Sequence, residues 1–166
     1  MPDLLAIADG EGRNGVWLAR QGCAVTAVDF SAAALEKSRR LADAAGVALT
    51  TLEADLFQWD WGEECWDAVV AIFVQFVPPE ARQDFHARMW RALKPGGLLV
   101  LQGYRPRQVE YATGGPSNPA HLYGAEDLRR DFADMEILHL AEHDSEIEEG
   151  VGHSGLSALV ELVARK

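Results

Sequence analysis

A glycine turn set between an apolar run and an amphipathic segment limits the fold of this chain more than anything else in it: Ala8 to Gly22 reads ADGEGRNGVWLARQG. Gly10-Glu11-Gly12-Arg13-Asn14-Gly15 satisfies G-x-G-x-x-G, and Asp29 follows the first glycine by roughly twenty positions, the spacing of a nucleotide-binding βαβ unit. The run before the turn, Leu4 to Ala8, is too short for a helix and suits a buried strand. After it, Asn14 is a good N-cap type and Gly22 a stop, so a helix is expected over Gly15 to Gln21.

The alternation continues along the chain. Cys23 to Val28 is rich in β-formers and ends on Asp29; Ser31 then caps a helix that closes at Gly46, with Leu35, Ser38, Leu41, Ala42 and Ala45 on one face. A third strand is expected over Val47 to Glu53, ahead of Asp55. Trp66 to Phe73 is almost wholly apolar, as in a central parallel strand covered on both faces. Pro79 begins a helix whose Ala81, Phe85, Met89 and Leu93 recur at helical spacing, until Pro95-Gly96-Gly97 stops it and Leu98 to Gln102 forms a fifth strand. Tyr104 to Gly124 reads as a long loop, Ala125 to Phe132 as a short helix, and Met135 to Ile147 with Leu156 to Ala164 as a closing strand pair around EEGVGHSG.

Length and charge narrow the chemistry. The 166 residues imply one domain spanning 1–166, with a single sheet and no room for the second nucleotide-binding half and substrate domain of a hydride-transfer enzyme. A net charge of −11 repels polyanions, so nucleic acid is not expected as a partner; Arg88, Arg91 and Lys94 read as the outer face and positive end of a helix. Cys23 and Cys65 are too few for a disulfide framework and suit a reducing compartment. Neither a leader pattern nor a membrane-spanning apolar run is present, so a cytoplasmic protein without membrane association is expected.

A glycine turn brings backbone close to a ligand and aims the N–H groups of the next helix at negative charge, which a phosphate or a carboxylate satisfies equally. The motif alone therefore leaves NAD and S-adenosylmethionine both open. Three features favour the second. Asp29 ends a strand where a carboxylate accepts from both ribose hydroxyls, Asp55 ends the next where it accepts from an adenine amino group, and Leu93-Lys94-Pro95-Gly96-Gly97 precedes the fifth strand.

With those residues in view, the chain resembles the small class I S-adenosylmethionine-dependent methyltransferases, and among them the tellurite-resistance and thiopurine methyltransferase-like branch. The resemblance is carried by Gly10 to Ser31, Glu53 to Trp59, Trp66 to Phe73 and Leu93 to Leu101, and by Tyr111 to Pro116 and Glu148 to Lys166. It implies an α/β, Rossmann-like class I methyltransferase fold: a mostly parallel sheet with a C-terminal antiparallel strand, flanked by helices. It also implies S-adenosyl-L-methionine as cofactor and methyl transfer to a small-molecule acceptor such as a soft sulfur, selenium or tellurium nucleophile. Carried over by position, Gly10 and Gly12 approach the methionine portion and Arg13 or Asn14 holds its carboxylate. Asp29 takes the ribose, Phe30 packs on the adenine, Asp55 with Leu56 reads the adenine edge, and Ile72 with Phe73 lines the floor beneath the sulfonium.

The chain departs from the family pattern at Ala6 and Ala8, where an acidic residue and a glycine are usual, and its first strand begins almost at Met1 instead of after helical cover residues. The chain is then shortened, or the site more open, or a lid comes from another subunit of a homo-oligomer. Two rival readings follow: a methyltransferase-like protein that binds cofactor weakly or lacks catalysis, and an NAD-binding oxidoreductase domain. On the acceptor side the candidates are Gln75, Tyr104, Arg105, Tyr111 and His153, all on segments expected at the C-terminal edge of the sheet. Three of the five have a plainer alternative: His153 as a loop histidine, Tyr111 as an aromatic pinning the long loop, Arg105 as a solvated cation. No metal is expected: His139 and His143 are four apart but fall in a predicted strand, and Asp144, Glu146, Glu148 and Glu149 lack ligand-loop spacing.

Overall fold

The computed structural model describes all of residues 1–166. Seven strands form one sheet in the order β3-β2-β1-β4-β5-β7-β6. β1 (Asp3–Ile7), β2 (Ala24–Asp29), β3 (Thr50–Glu53), β4 (Trp66–Ile72) and β5 (Leu93–Tyr104) run parallel, while β7 (Ser154–Arg165) is antiparallel to both β5 and β6 (Glu136–Glu148). The Rossmann-like class I methyltransferase fold expected from the sequence is therefore the fold observed. β1 pairs with β2 on one side and β4 on the other, so the strand order reverses there and opens a crevice beyond the strand ends.

Burial follows the two faces of the sheet. On one face Val69, Ala71, Leu99, Leu101, Val160 and Leu162 are buried with Phe85 and Met89 of α3 (Pro79–Ala92) and with Leu128 of α5 (Ala125–Asp131). On the other, Leu4, Ala6 and Val25 pack under Leu18 and Ala19 of α1 (Arg13–Arg20). α1 lies against α2 (Ala32–Ala45), which Ser31 caps through Ala34 N–H and Gly46 ends in the left-handed region, as its residue types predict. Away from α1, this second face carries Glu161, which accepts from His143 Nε2 at 2.8 Å and His139 Nε2 at 3.3 Å. These polar groups tolerate the position because the face is half-exposed there.

Several boundaries differ from expectation for local reasons. β1 stops at Ile7 because Ala8 turns into the left-handed region, φ 48°. α1 begins at Arg13 with Gly12 at its N-cap position (φ 89°), so Asn14 is not the cap; the carboxylate of Asp9 instead accepts from Gly15 N–H at 3.1 and 3.3 Å. β3 is confined to Thr50–Glu53, the residues that β2 reaches. β5 starts at Leu93, opposite Trp66, and a register shift separates that pair from the ladder that begins at Ala68 and Leu98. The long loop holds a four-residue helix, α4 (Gln108–Tyr111), and a 3₁₀ turn at Pro119–His121.

Behind the crevice, α3 and α5 are joined by a buried polar network. His86 Nδ1 lies 2.8 Å from Asp131 Oδ2, and Arg82 stands 3.9 Å from the same carboxylate with its guanidinium 5.4 Å from the centre of the Tyr123 ring. No helix is long and apolar enough to cross a membrane.

Candidate functional site

A cleft of about 710 Å³ opens at the strand reversal, between the first βα turn, the end of β4 and the β6–β7 turn. Gly10 supplies its close wall: φ is 58°, and a Cβ there would meet no atom within 4 Å. Its N–H donates to Asp29 Oδ2 at 2.9 Å, while Ser31 N–H donates to Oδ1 at the same distance. The Asp29 carboxylate is thereby fixed and buried at the end of β2, with one further lone pair on each oxygen for a diol. Next to it Phe30 presents an 80% exposed ring, an apolar face of the kind a purine covers.

The other cofactor candidates divide. Arg13, Asn14, Ile72 and Phe73 line the cleft. Gly12 does not: a Cβ there would fall 2.2 Å from Ser38 Oγ, so this glycine serves the close packing of α1 on α2 rather than a ligand. Asp55 is exposed and uses Oδ1 to accept from Phe57 N–H at 2.9 Å, a local turn bond that leaves its second oxygen free. The Leu56 side chain is buried in the main core and its carbonyl accepts from Trp61 Nε1 and Arg88, so only its N–H is available to an adenine edge.

On the acceptor side three aromatic rings meet. Tyr104 Oη and His153 Nδ1 are 2.7 Å apart, and Phe73 stacks on both, at 4.5 and 4.6 Å between centroids. The tyrosine and histidine centroids are 5.6 Å apart with planes 19° from parallel, so the bonded pair lies side by side beneath the phenylalanine. Phe73 holds φ 56°, uncommon for a bulky residue, because its N–H donates to Gln102 O and its ring is clamped by the stack. Burial, with the nearby Glu149 charge, pushes the Tyr104 hydroxyl up to about 12. Burial likewise holds His153 below the usual imidazole range, Arg13 assisting and Glu149 opposing. At neutral pH the pair is a phenol and a neutral imidazole. If Nδ1–H donates to the phenol oxygen, Nε2 carries a lone pair; if the phenol donates, Nε2 carries the proton.

Three acceptor candidates are committed elsewhere. The Gln75 amide donates to Tyr104 O at 2.8 Å and accepts from Tyr104 N–H at 2.7 Å, pairing with β5 beyond the end of β4. Arg105 is bonded to Asp144 on β6, and Tyr111 Oη donates to the other oxygen of that carboxylate at 2.6 Å. That bond pulls Asp144 below the usual carboxylate range and raises Tyr111. Both residues pin the long loop to β6, and neither lines the cleft.

Among the cleft residues that escaped the sequence reading, Trp17 and Asp9 stand out. Trp17 is 59% exposed, one helical turn beyond Arg13; the i, i+4 spacing within α1 was the available cue. Asp9 lies between the departure Ala8 and Gly10, and its capping residue type in a βα turn was the cue there. Burial, with Asp29 nearby, raises its carboxyl to about 7 against the lowering effect of Gly15 N–H and Asn14. No group of three or more His, Cys, Asp or Glu side chains is arranged to hold a metal ion.

Comparison with known proteins agrees with this geometry. A family model described as a methyltransferase domain matches residues 4–97. The carboxy-S-adenosyl-L-methionine synthase of Erwinia tasmaniensis is 40% identical over 82 residues, which cover 48% of this chain and only about a third (33%) of that protein. A chain solved in work on the conversion of a disulfide bond into a thioacetal group during echinomycin biosynthesis superposes with TM-score 0.81 at 21% identity, over 100% of this chain and 75% of that one. TehB from Haemophilus influenzae superposes with TM-score 0.79 at 18% identity, over 99% of this chain and 57% of that one. The open wall at Gly10, the fixed carboxylate of Asp29 and the bare ring of Phe30 fit an adenosyl ligand, and the family model reaches from β1 to the start of β5. The chain belongs to the methyltransferase domain family, whose cofactor is S-adenosyl-L-methionine.

Proposed function

We propose that this chain binds S-adenosyl-L-methionine in the cleft between β1, β2 and β4 and directs its methyl group to a small soft nucleophile carrying sulfur, selenium or tellurium. The observation that carries the reading is the convergence on one cleft of Gly10, with Asp29 fixed behind it, and the Phe73–Tyr104–His153 cluster. Asp29 holds the ribose diol, Phe30 covers the adenine, and Arg13 pairs with the carboxylate of the amino-acid arm. The bound cofactor supplies an already activated methyl carbon. What the protein must do is align the acceptor lone pair with it and exclude water.

Phe73 forms the apolar floor, and His153, oriented by the buried Tyr104 hydroxyl, holds an acceptor by one hydrogen bond. A thiol, selenol or related group is acidic enough to lose its proton to a neutral imidazole, whereas an alcohol needs a stronger base. His153 is the only acid–base side chain of the aromatic cluster able to accept a proton near neutral pH, since Tyr104 stays protonated. The chain solved in work on the conversion of a disulfide bond into a thioacetal group shares this fold, and its sulfur chemistry is of the kind proposed here.

Incubating the protein with S-adenosylmethionine and a panel of small thiols, selenols and primary amines, with detection of methylated product by mass spectrometry, tests the reading. Methylation of the soft acceptors above the amines is expected. Methylation of amines alone overturns the soft-acceptor assignment, and absence of any bound adenosyl ligand overturns the cofactor assignment. A second reading, cofactor binding without turnover, draws on Ala8, whose methyl and left-handed backbone stand where the ligand passes closest; it predicts binding with no product on any acceptor.

A further inference from the structure

Asp9 has no part in the mechanism above, yet it is a carboxylate on the wall of the cleft. It adjoins Gly10, whose N–H is held by Asp29, so a ligand with its diol on Asp29 and its sulfur toward Phe73 passes its amino-acid arm over the turn that carries Asp9. We propose that Asp9 is a positioning residue for that arm, its carboxylate receiving the α-ammonium and standing in for the acid that Ala6 lacks. The inference rests on the cofactor reading above and adds the residue that reads the ligand's charge.

The surroundings assign the two ends of a zwitterion. From α1 the cleft receives Arg13 and Asn14, while Gly15 N–H is spent on Asp9; Asp29 of β2 lies behind Gly10; the end of β6 and the β6–β7 turn bring Glu148, Glu149 and His153; and Glu11 is paired with Lys37 at 2.6 Å. Arg13 is the cation that suits the ligand carboxylate, which leaves the ammonium for an anion. Both Asp9 oxygens accept from Gly15 N–H, at 3.1 and 3.3 Å, and the Asn14 side chain bonds the same carboxylate; with about four acceptor sites on its two oxygens, lone pairs remain. Ala6 is 1% exposed and offers no polar group from β1. Burial raises the Asp9 carboxyl to about 7, so a cation arriving beside it displaces the proton.

The test is titration calorimetry of the wild-type chain and Asp9→Asn at pH 6 and pH 8 with two ligands, S-adenosylhomocysteine and 5′-methylthioadenosine, which keeps the nucleoside and thioether and lacks the amino-acid arm. Asparagine preserves a capping oxygen for Gly15, and a melting curve, with Asp9→Ser as a second capping variant, checks the fold. Wild-type affinity for S-adenosylhomocysteine is expected to rise about tenfold from pH 6 to pH 8, as the ionised fraction of a group with pKa about 7 does. Asp9→Asn should flatten that rise to within about twofold and bind about tenfold more weakly at pH 8, while 5′-methylthioadenosine follows neither change. An unaltered pH dependence in Asp9→Asn, or the same dependence for 5′-methylthioadenosine, overturns the assignment of Asp9. Failure of both ligands to bind the wild-type chain overturns the cofactor reading and this inference with it.

Discussion

Ala8 is a residue under tension. An L-side chain at φ 48° costs about 1–2 kcal/mol, and glycine at the same place does not bear that cost. Ala8→Gly is therefore expected to raise stability by about 1 kcal/mol, read as an increase in melting temperature, because relief of the left-handed strain exceeds the entropy glycine adds to the unfolded chain. At this scale the sequence is a good guide where function follows from backbone position: Gly10, Asp29 and Phe73 stand where a strand–turn–helix reading puts them. It fails where a side chain has a choice of partners. Gln75 closes β5, Arg105 and Tyr111 share Asp144, and Gly12 faces Ser38; each choice is made by chain more than 25 residues away, which local pattern does not record.

Among the elements, the turn between β6 and β7 is positioned by the long loop. Gly114 bridges to His153, and a Cβ on Gly114 would fall 2.2 Å from Gly152 O. Gln108 of α4 fastens the same loop, accepting from Ala158 N–H at 2.8 Å and donating to Gly114 O at 3.1 Å. Gly114→Ala is expected to push the turn outward and expose His153. Its imidazole, now held low chiefly by burial, should then titrate nearer the ordinary 6.5, a rise measurable by NMR. An unmoved titration would mean that the loop does not seat the histidine. The periodicity of α2 and α3 and the apolar run of β4 were legible because they are long. α4, with four residues, was not, since one turn of helix leaves no periodic trace.

α5 was also found from its residues, although what holds it was not. Removing the Asp131 carboxylate leaves Arg82 and His86 buried without their shared partner, and Asp131→Ala is expected to cost about 3–5 kcal/mol in denaturant unfolding. A cost below about 1 kcal/mol would show that this network is spectator polarity.

Over the whole molecule, the class of fold was readable because strand and helix signals alternate and the sheet places the C-terminal ends of its five parallel strands, β1 to β5, on one edge. The site was half readable for the same reason: residues at strand ends assemble without further information, whereas the pairing of Tyr104 with His153, 49 positions apart, depends on the antiparallel return of β7. Charge acts at this scale as well. With a net −11 and Asp9, Asp29, Glu148 and Glu149 around one arginine at the cleft, the protein's field favours a net-cationic cofactor over its net-neutral, zwitterionic product.

The most direct test of the account is calorimetric titration of S-adenosylhomocysteine into the wild-type chain and into Asp29→Ala, with melting curves to establish that both are folded. Micromolar binding by the wild-type chain and no measurable heat from the variant are the predicted results. Equal affinity in the two proteins, or no binding by the folded wild-type chain, would contradict it.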